Sequence, residues 1–192
     1  MDDITSPNTL MERYANGEDE VFEHLYREVA PRLYRFCRRL ALHQPEADDC
    51  FQETFLRIHR ARATFAPGAN VLHWAFAIAR SVYLSRLRYW RRRPERLGDA
   101  NDIADCDELH SCDAATPEAE VVAANLLEVA TAELSKMSEK NRAAYLLLKE
   151  EGLTVKEAAE ILGTTTDVVR QRAHRASEQI RTALSTGEAQ HA

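Results

Sequence analysis

From Leu153 onward, apolar residues fall at Val155, Ala158, Ala159 and Leu162, and then at Val169, Ala173, Ala176, Ile180 and Leu184. Steps of three and four residues put each set on one face of a helix. Gly163 breaks the run between them, and Thr165 stands where it can cap the second helix. The other faces of that second helix carry Arg170, Gln171, His174 and Arg175. A short helix, a tight turn and a helix with groove-reading side chains predict a helix-turn-helix, a device for reading DNA.

The same periodicity organises the rest of the chain. Residues 1–17 form a polar lead-in with room for one short helix, and strong helical spacing then runs from Glu18 to Arg93. Pro31 either starts a fresh helix or kinks one, with Leu33, Phe36, Cys37 and Leu40 on the inner stripe. A third helix is predicted from about Pro45 to Arg62, and Pro45 suits its first turn. Ala47, Cys50, Phe51, Thr54 and Ile58 point to its core side. A loop, Phe65 to Asn70, precedes a fourth helix from Val71 to about Arg93, which stops at Pro94. Val71, Trp74, Ala75, Ile78 and Val82 form its expected inward stripe.

Residues 94–116 hold few large apolar side chains and many acids, which predicts a flexible tether unable to bury enough surface to order itself. Helical pattern resumes at Pro117, with helices expected over Glu118–Lys136 and Ser138–Glu150 ahead of the helix-turn-helix. The expected fold is all-α: two small helical domains joined by a flexible acidic linker, the C-terminal one a four-helix helix-turn-helix. The boundaries read as a lead-in at 1–17, a first domain at 18–94, a linker at 95–116, a second domain at 117–186 and a tail at 187–192.

A formal net charge of −6 argues against a nucleic-acid partner only if charge is spread evenly. Residues 95–120 carry nine acids against one base, Arg96, so this stretch alone is −8 and the remainder of the chain is +2. Local sign decides DNA contact, because screening confines each charge to about 8 Å at physiological salt. No apolar h-region or membrane-length run is present, which predicts a cytoplasmic protein without direct membrane contact. Four cysteines in 192 residues do not make a disulfide scaffold. Cys37 and Cys50 fall on core stripes and read as small buried hydrophobes.

Two helices carry candidate chemistry. On the fourth, Arg80, Leu84, Arg88 and Arg91 share a face, and Arg91, Arg92 and Arg93 follow Tyr89 and Trp90. Arginines neutralise phosphates and aromatics stack on unpaired bases, so the pair suits a bent or melted strand. A solvated basic helix end with two half-buried aromatics is the plainer alternative. On the third helix, Asp49, Gln52, Glu53 and Leu56 lie together, a face that suits a helical groove on a partner or simple solvent exposure. Inside the linker, Cys106, His110 and Cys112 offer soft ligands for zinc or copper, or thiols for oxidation. Three ligands are one short of a closed site, and the surrounding acids raise thiol pKa, so an unliganded tether is the preferred reading and no metal or cofactor is expected. No Gly-rich phosphate loop, G-x-S-x-G or H-E-x-x-H occurs, so no enzymatic site is predicted.

The string DDCFQETFLRIHRARATF, followed by WAFAIARSVYLSRLRYWRRR and then by the helix-turn-helix, resembles a bacterial sigma factor. The two-domain length is similar to the extracytoplasmic-function (ECF) group of the sigma-70 family. The likeness covers about residues 18–94 and 117–185, with three motifs in order around a variable linker. It implies that Asp48, Asp49, Gln52, Glu53, Phe55 and Leu56 dock on the β′ clamp helices of core RNA polymerase, with the β subunit a further contact. It implies that the loop Phe65–Asn70 and the next helix start, with Asn70 and Trp74, capture a flipped base of the minus-ten element. Arg80, Ser81, Arg88, Arg91 and Arg92 would meet the minus-ten duplex and the newly melted strand. The helix-turn-helix would read the minus-thirty-five element, with Arg170, Gln171 and His174 at base-facing positions and Thr165 and Thr166 at the helix start. Lys156, Arg172, Arg175 and Arg181 would contact phosphates. An anti-sigma factor is implied as a regulatory partner.

This chain departs from the family's pattern at Ser81 and Ser85, where an Asn and an Asp are usual, and at Val168, where a Thr is common. A hydroxyl does not reproduce an amide's paired donor and acceptor, so the resemblance alone does not define the base preferred at the minus-ten element. Two rival functions follow from parts of the chain. One is a stand-alone helix-turn-helix regulator, which leaves residues 47–93 unexplained; the other is a metal- or redox-responsive interaction module built on the linker cluster.

Overall fold

The computed structural model describes residues 6–92 and 129–189, which fall into two compact units. The acidic segment at 95–116, and with it Cys106, His110 and Cys112, lies outside the described residues. Every regular element among the described residues is helical.

In the first unit, α1 (Pro7–Ala15) begins with Pro7 in its first turn and Ser6 as its cap, whose Oγ accepts from Thr9 N–H at 3.2 Å. Leu10, Met11 and Tyr14 are buried. The stretch read as a polar lead-in therefore contributes to the core. Its three apolar residues are too few to reveal a stripe by period alone, and the partners that bury them come from distant sequence.

A single tight turn leads into α2 (Phe22–Ala41), which is one helix running through Pro31. An interior proline costs roughly 3 kcal/mol through a lost hydrogen bond and a clash. Burial of Leu25, Val29, Leu33, Phe36 and Leu40, at ~1.5–3 kcal/mol for each large side chain, outweighs it. Pro31 itself faces solvent. Helix α3 (Gln44–Ala61) buries Ala47, Cys50, Thr54 and Ile58, and the Thr54 hydroxyl donates to the Cys50 carbonyl at 2.7 Å. Helix α4 (Val71–Arg91) buries Val71, Ala75, Phe76, Ala79, Val82 and Tyr83. That stripe differs from the expected one: Trp74 and Ile78 are only half-buried, and Phe76, Ala79 and Tyr83 take the core. The choice is made by α2, whose Phe36 meets Phe76 with ring centroids 4.9 Å apart. Helix α2 is the hub, in contact with α1, α3 and α4.

The second unit opens in the described residues with α5 (129–136), followed by α6 (Glu139–Tyr145), which runs on as a wider π turn over Leu146–Glu150. Ser138 caps α6. Buried Arg142 donates from Nη1 to the carbonyls of Leu134 and Met137 at 3.1 and 3.3 Å, so the end of α5 supplies the acceptors its charge needs. Helix α7 (Val155–Leu162) starts at a capping box, with Thr154 and Glu157 satisfying each other's backbone N–H. Gly163 ends it in the left-handed region at φ 57°, and α8 (Thr166–Ala189) follows at once. Helices α6 and α7 both lie against α8, whose Val169, Ala173, Ala176 and Ile180 are buried.

Candidate polymerase and nucleic-acid interfaces

The side of α3 turned away from the core carries the predicted docking residues. Gln52 is exposed and Leu56 is 50% exposed. The acids beside them are held. Asp49 bridges to Arg86 of α4 at 2.6 Å, and Glu53 bridges to Arg57 one turn on at 2.8 Å. Asp48 accepts from the Tyr34 hydroxyl of α2 at 2.8 Å. Burial, then the bond to the Asp48 carboxylate, pushes the Tyr34 phenol above its ordinary pKa and keeps it a donor.

Phe55 belongs to an aromatic shelf between α2 and α3. Its ring lies 4.8 Å from Tyr26, 5.1 Å from Phe51 and 6.4 Å from Phe22, centroid to centroid. Phe51, assigned to the core from its period, is half-buried in this shelf, and Tyr26 is 39% exposed. Sequence reading missed Tyr26. The available signal was Phe22 and Tyr26 four residues apart, off the Leu25–Val29–Leu33 stripe.

The loop from Phe65 to Asn70 is tied down at both ends. Phe65 is buried, and Trp74 meets it edge-on at 5.3 Å with an interplanar angle of 62°. Asn70 caps α4, its Oδ1 accepting from Leu72 and His73 N–H at 2.9 and 3.2 Å. Both lone-pair directions of that oxygen are thereby engaged. Two further bonds come from α1: Gly68 N–H donates to Glu12 Oε1 at 2.7 Å and Val71 N–H to Asn8 Oδ1 at 2.9 Å. Nothing in the sequence marked Asn8 or Glu12 as part of this region.

Along α4, Arg80 is half-buried while Ser81, Arg88, Tyr89 and Arg92 are exposed. The two serines that replace the family's amide and acid are linked, Ser85 Oγ donating to the Ser81 carbonyl at 2.9 Å. Arg88 folds back along its own helix, with Nε 3.2 Å from the Leu84 carbonyl and Nη2 3.3 Å from Ser85 Oγ. The side chains of Trp90 and Arg91 lie outside the described residues.

In the second unit, Arg170, Gln171 and His174 are all exposed on α8, opposite its buried stripe. Thr165 caps the helix, its Oγ1 3.4 Å from Val168 N, and Thr166 is half-buried behind it. Arg170 bridges to Asp167 at 2.9 Å, and His174 Nδ1 stands 4.0 Å from Glu178. Arg181 also pairs with Glu178. Such exposed pairs are weak and yield readily to a phosphate or a base edge. Lys156 on α7 and Arg175 on α8 are exposed, and Arg172 is half-buried.

Cys37 and Cys50 are free thiols sealed in the core, Cys50 Sγ lying 3.6 Å from the Ala79 carbonyl. Among the described residues, no cluster of His, Cys, Asp and Glu is arranged to hold a metal ion, and no helix is long and apolar enough to cross a membrane.

A helix-turn-helix with exposed cationic and amide side chains, in a chain that also holds a helical unit with an acidic face and a pinned loop, is an architecture suited to reading DNA and to binding a protein. Comparison with known proteins narrows the class. The chain matches the family model for sigma-70 region 2 over residues 25–93 and that for sigma-70 region 4 over residues 127–180. It is 29% identical to the RNA polymerase sigma factor CarQ of Myxococcus xanthus over 174 residues, 91% of this chain and 95% of CarQ. It is 31% identical to the ECF RNA polymerase sigma factor SigE of Mycolicibacterium smegmatis over 165 residues, 85% of this chain and 62% of SigE. The fold is that of the sigma factor RpoE from Bartonella quintana, solved in complex with the anti-sigma factor NepR, with a TM-score of 0.66 at 22% identity over 85% of this chain and 96% of that one. The chain belongs to the ECF group of the sigma-70 family. As a sigma factor it directs promoter-specific transcription initiation.

Proposed function

We propose that the first unit grips core RNA polymerase through α3 and opens the minus-ten element through the loop at 65–70 and α4, while α8 reads the minus-thirty-five element. The observation that carries this reading is the exposure of Arg170, Gln171 and His174 on one face of α8, with Gln52 and Leu56 exposed on a different unit. An exposed leucine within an acidic, amide-bearing face suits a helix that docks on a partner. On this reading Gln52 and Leu56 supply the contact that does not depend on salt, and the four neighbours Asp48, Asp49, Glu53 and Phe55 orient it.

Asn70 offers its amide and Trp74 its half-buried ring to an extruded base, and Arg80, Ser81, Arg88, Arg91 and Arg92 follow the strand away from it. Arg170, Gln171 and His174 contact base edges, and Lys156, Arg172 and Arg175 contact phosphates that set register. The polymerase carries out the chemistry, so this chain works in the cytoplasm as a non-enzymatic specificity factor. The relative RpoE was solved with an anti-sigma factor bound, which supports a protein inhibitor as the regulator here too.

The reading is tested by run-off transcription with purified core polymerase across a promoter library, paired with gel shifts with and without core. Promoter-specific transcripts and core-dependent DNA binding are the expected results. Tight binding to a palindrome by the chain alone would identify a stand-alone regulator instead.

A further inference from the structure

We propose that Asn8 and Glu12 of α1 are positioning residues for promoter opening: they hold the backbone of the loop at 65–70 and the start of α4 in the shape that receives an extruded base. The inference rests on the reading of that loop as the base-capturing element. Glu12 Oε1 takes the Gly68 N–H at 2.7 Å, and Asn8 Oδ1 takes the Val71 N–H at 2.9 Å. The two acceptors are one helical turn apart, so they face the same way.

Their support is rigid. Leu10, Met11 and Tyr14 bury the other side of α1, the Tyr14 hydroxyl meets the His59 ring at 2.5 Å, and the Arg62 guanidinium lies 4.8 Å over the Tyr14 ring. Between its held ends the loop has one backbone bond of its own, Ala69 N–H to the Ala66 carbonyl at 3.0 Å. Ala66, Pro67, Gly68 and Asn70 are all exposed, and Gly68 adopts φ +76°, where a glycine has many alternatives. A flipped base is received best by edges that are already in place, because ordering them on binding subtracts from the stabilisation of the open strand. Helix α1 lies wholly before residue 25, where the match to sigma-70 region 2 begins. The two side chains that hold the loop therefore come from outside the matched span.

The test uses full-length Asn8→Ala, Glu12→Ala and the double variant, each assembled with core polymerase on a promoter that the wild-type holoenzyme selects from a random library. The extruded position is located by 2-aminopurine fluorescence, and all four bases are then compared there. The double variant is expected to open the promoter at least about tenfold less well, two hydrogen bonds being lost, one of them charge-assisted. Its preference among the four bases should flatten, and its affinity for core should stay within about twofold of wild type. Asn8→Asp and Glu12→Gln keep the accepting oxygen and should recover most of the opening. Recovery separates a positioning role from a merely structural one, which would lower core affinity and flatten nothing. If Glu12→Ala fails to fold, Asn8→Ala against Asn8→Asp makes the same comparison at Val71. Wild-type opening and base preference in the alanine variants would overturn the proposal while leaving the loop reading intact. Equal transcription of all four bases by the wild type would overturn both.

Discussion

Arg86 of α4 and Asp49 of α3 form an ion pair at 2.6 Å, which joins the helix proposed to meet DNA to the helix proposed to meet polymerase. The side chains are 30% and 59% exposed, so solvent screens the pair and its worth to folding is small. Its interest lies in competition. A basic polymerase side chain approaching Asp49 must displace Arg86 or share the carboxylate with it.

Replacing Arg86 with alanine should therefore cost less than about 1 kcal/mol of stability and leave core affinity equal or slightly raised. Both tryptophans, Trp74 and Trp90, are in the N-terminal half, so urea unfolding followed by tryptophan fluorescence reports the unit concerned. Titration of labelled core polymerase supplies the affinity. A large loss of affinity would mean that Arg86 orients Asp49 for docking and does not compete for it.

Leu56→Ala should behave in the opposite way. Half of this side chain is already in solvent, so truncation removes little from the fold. Burying its exposed half against a partner is worth half of the ~1.5–3 kcal/mol of a fully exposed side chain, which corresponds to roughly a three- to tenfold loss of core affinity. Gln52→Ala should add a smaller loss. Unchanged binding in the double variant, with normal thermal unfolding, would show that the docking face lies elsewhere.

For α8, Arg170→Ala should weaken binding of the holoenzyme to its own promoter more than to scrambled DNA. A lost bidentate base contact costs ~1–3 kcal/mol, while a lost phosphate contact weakens both DNAs alike and lowers the salt dependence. Gel shifts on the two DNAs at several salt concentrations separate these outcomes. The Asp167 bridge does not change the direction, since it is exposed and weak.

Gly163→Ala tests the turn. The glycine sits at φ +57°, and an added Cβ there would find nothing within 4 Å. The cost is thus one of backbone conformation alone, about 1–2 kcal/mol. Hydrogen exchange of α7 and α8 amides should speed up accordingly, while the tryptophan-detected unfolding of the first unit stays as it was.

The readable parts of this molecule are those written in local spacing. Helices α3, α4, α7 and α8, the caps at Thr165 and Gly163, and the exposed row Arg170, Gln171 and His174 all follow from residues within a turn or two of one another. Less legible was the inward stripe of α4. Apolar residues occur on most sides of that helix, so its period admits more than one buried face. Pro31 was ambiguous for a related reason, because the interactions that carry α2 through it come from other helices.

By itself the sequence determined an all-helical chain, two small helical domains around an acidic linker, and the row of polar side chains exposed on α8. Each is settled by periodicity, capping and side-chain type, which act over three or four residues. Only the tertiary structure decided what holds the loop at 65–70 and ties α4 to α3: Asn8 on Val71 across 63 residues, Glu12 on Gly68 across 56, and Arg86 on Asp49 across 37. Hydrogen bonds and ion pairs over such separations depend on how helices pack, and packing is a property of the whole buried surface that no local pattern contains.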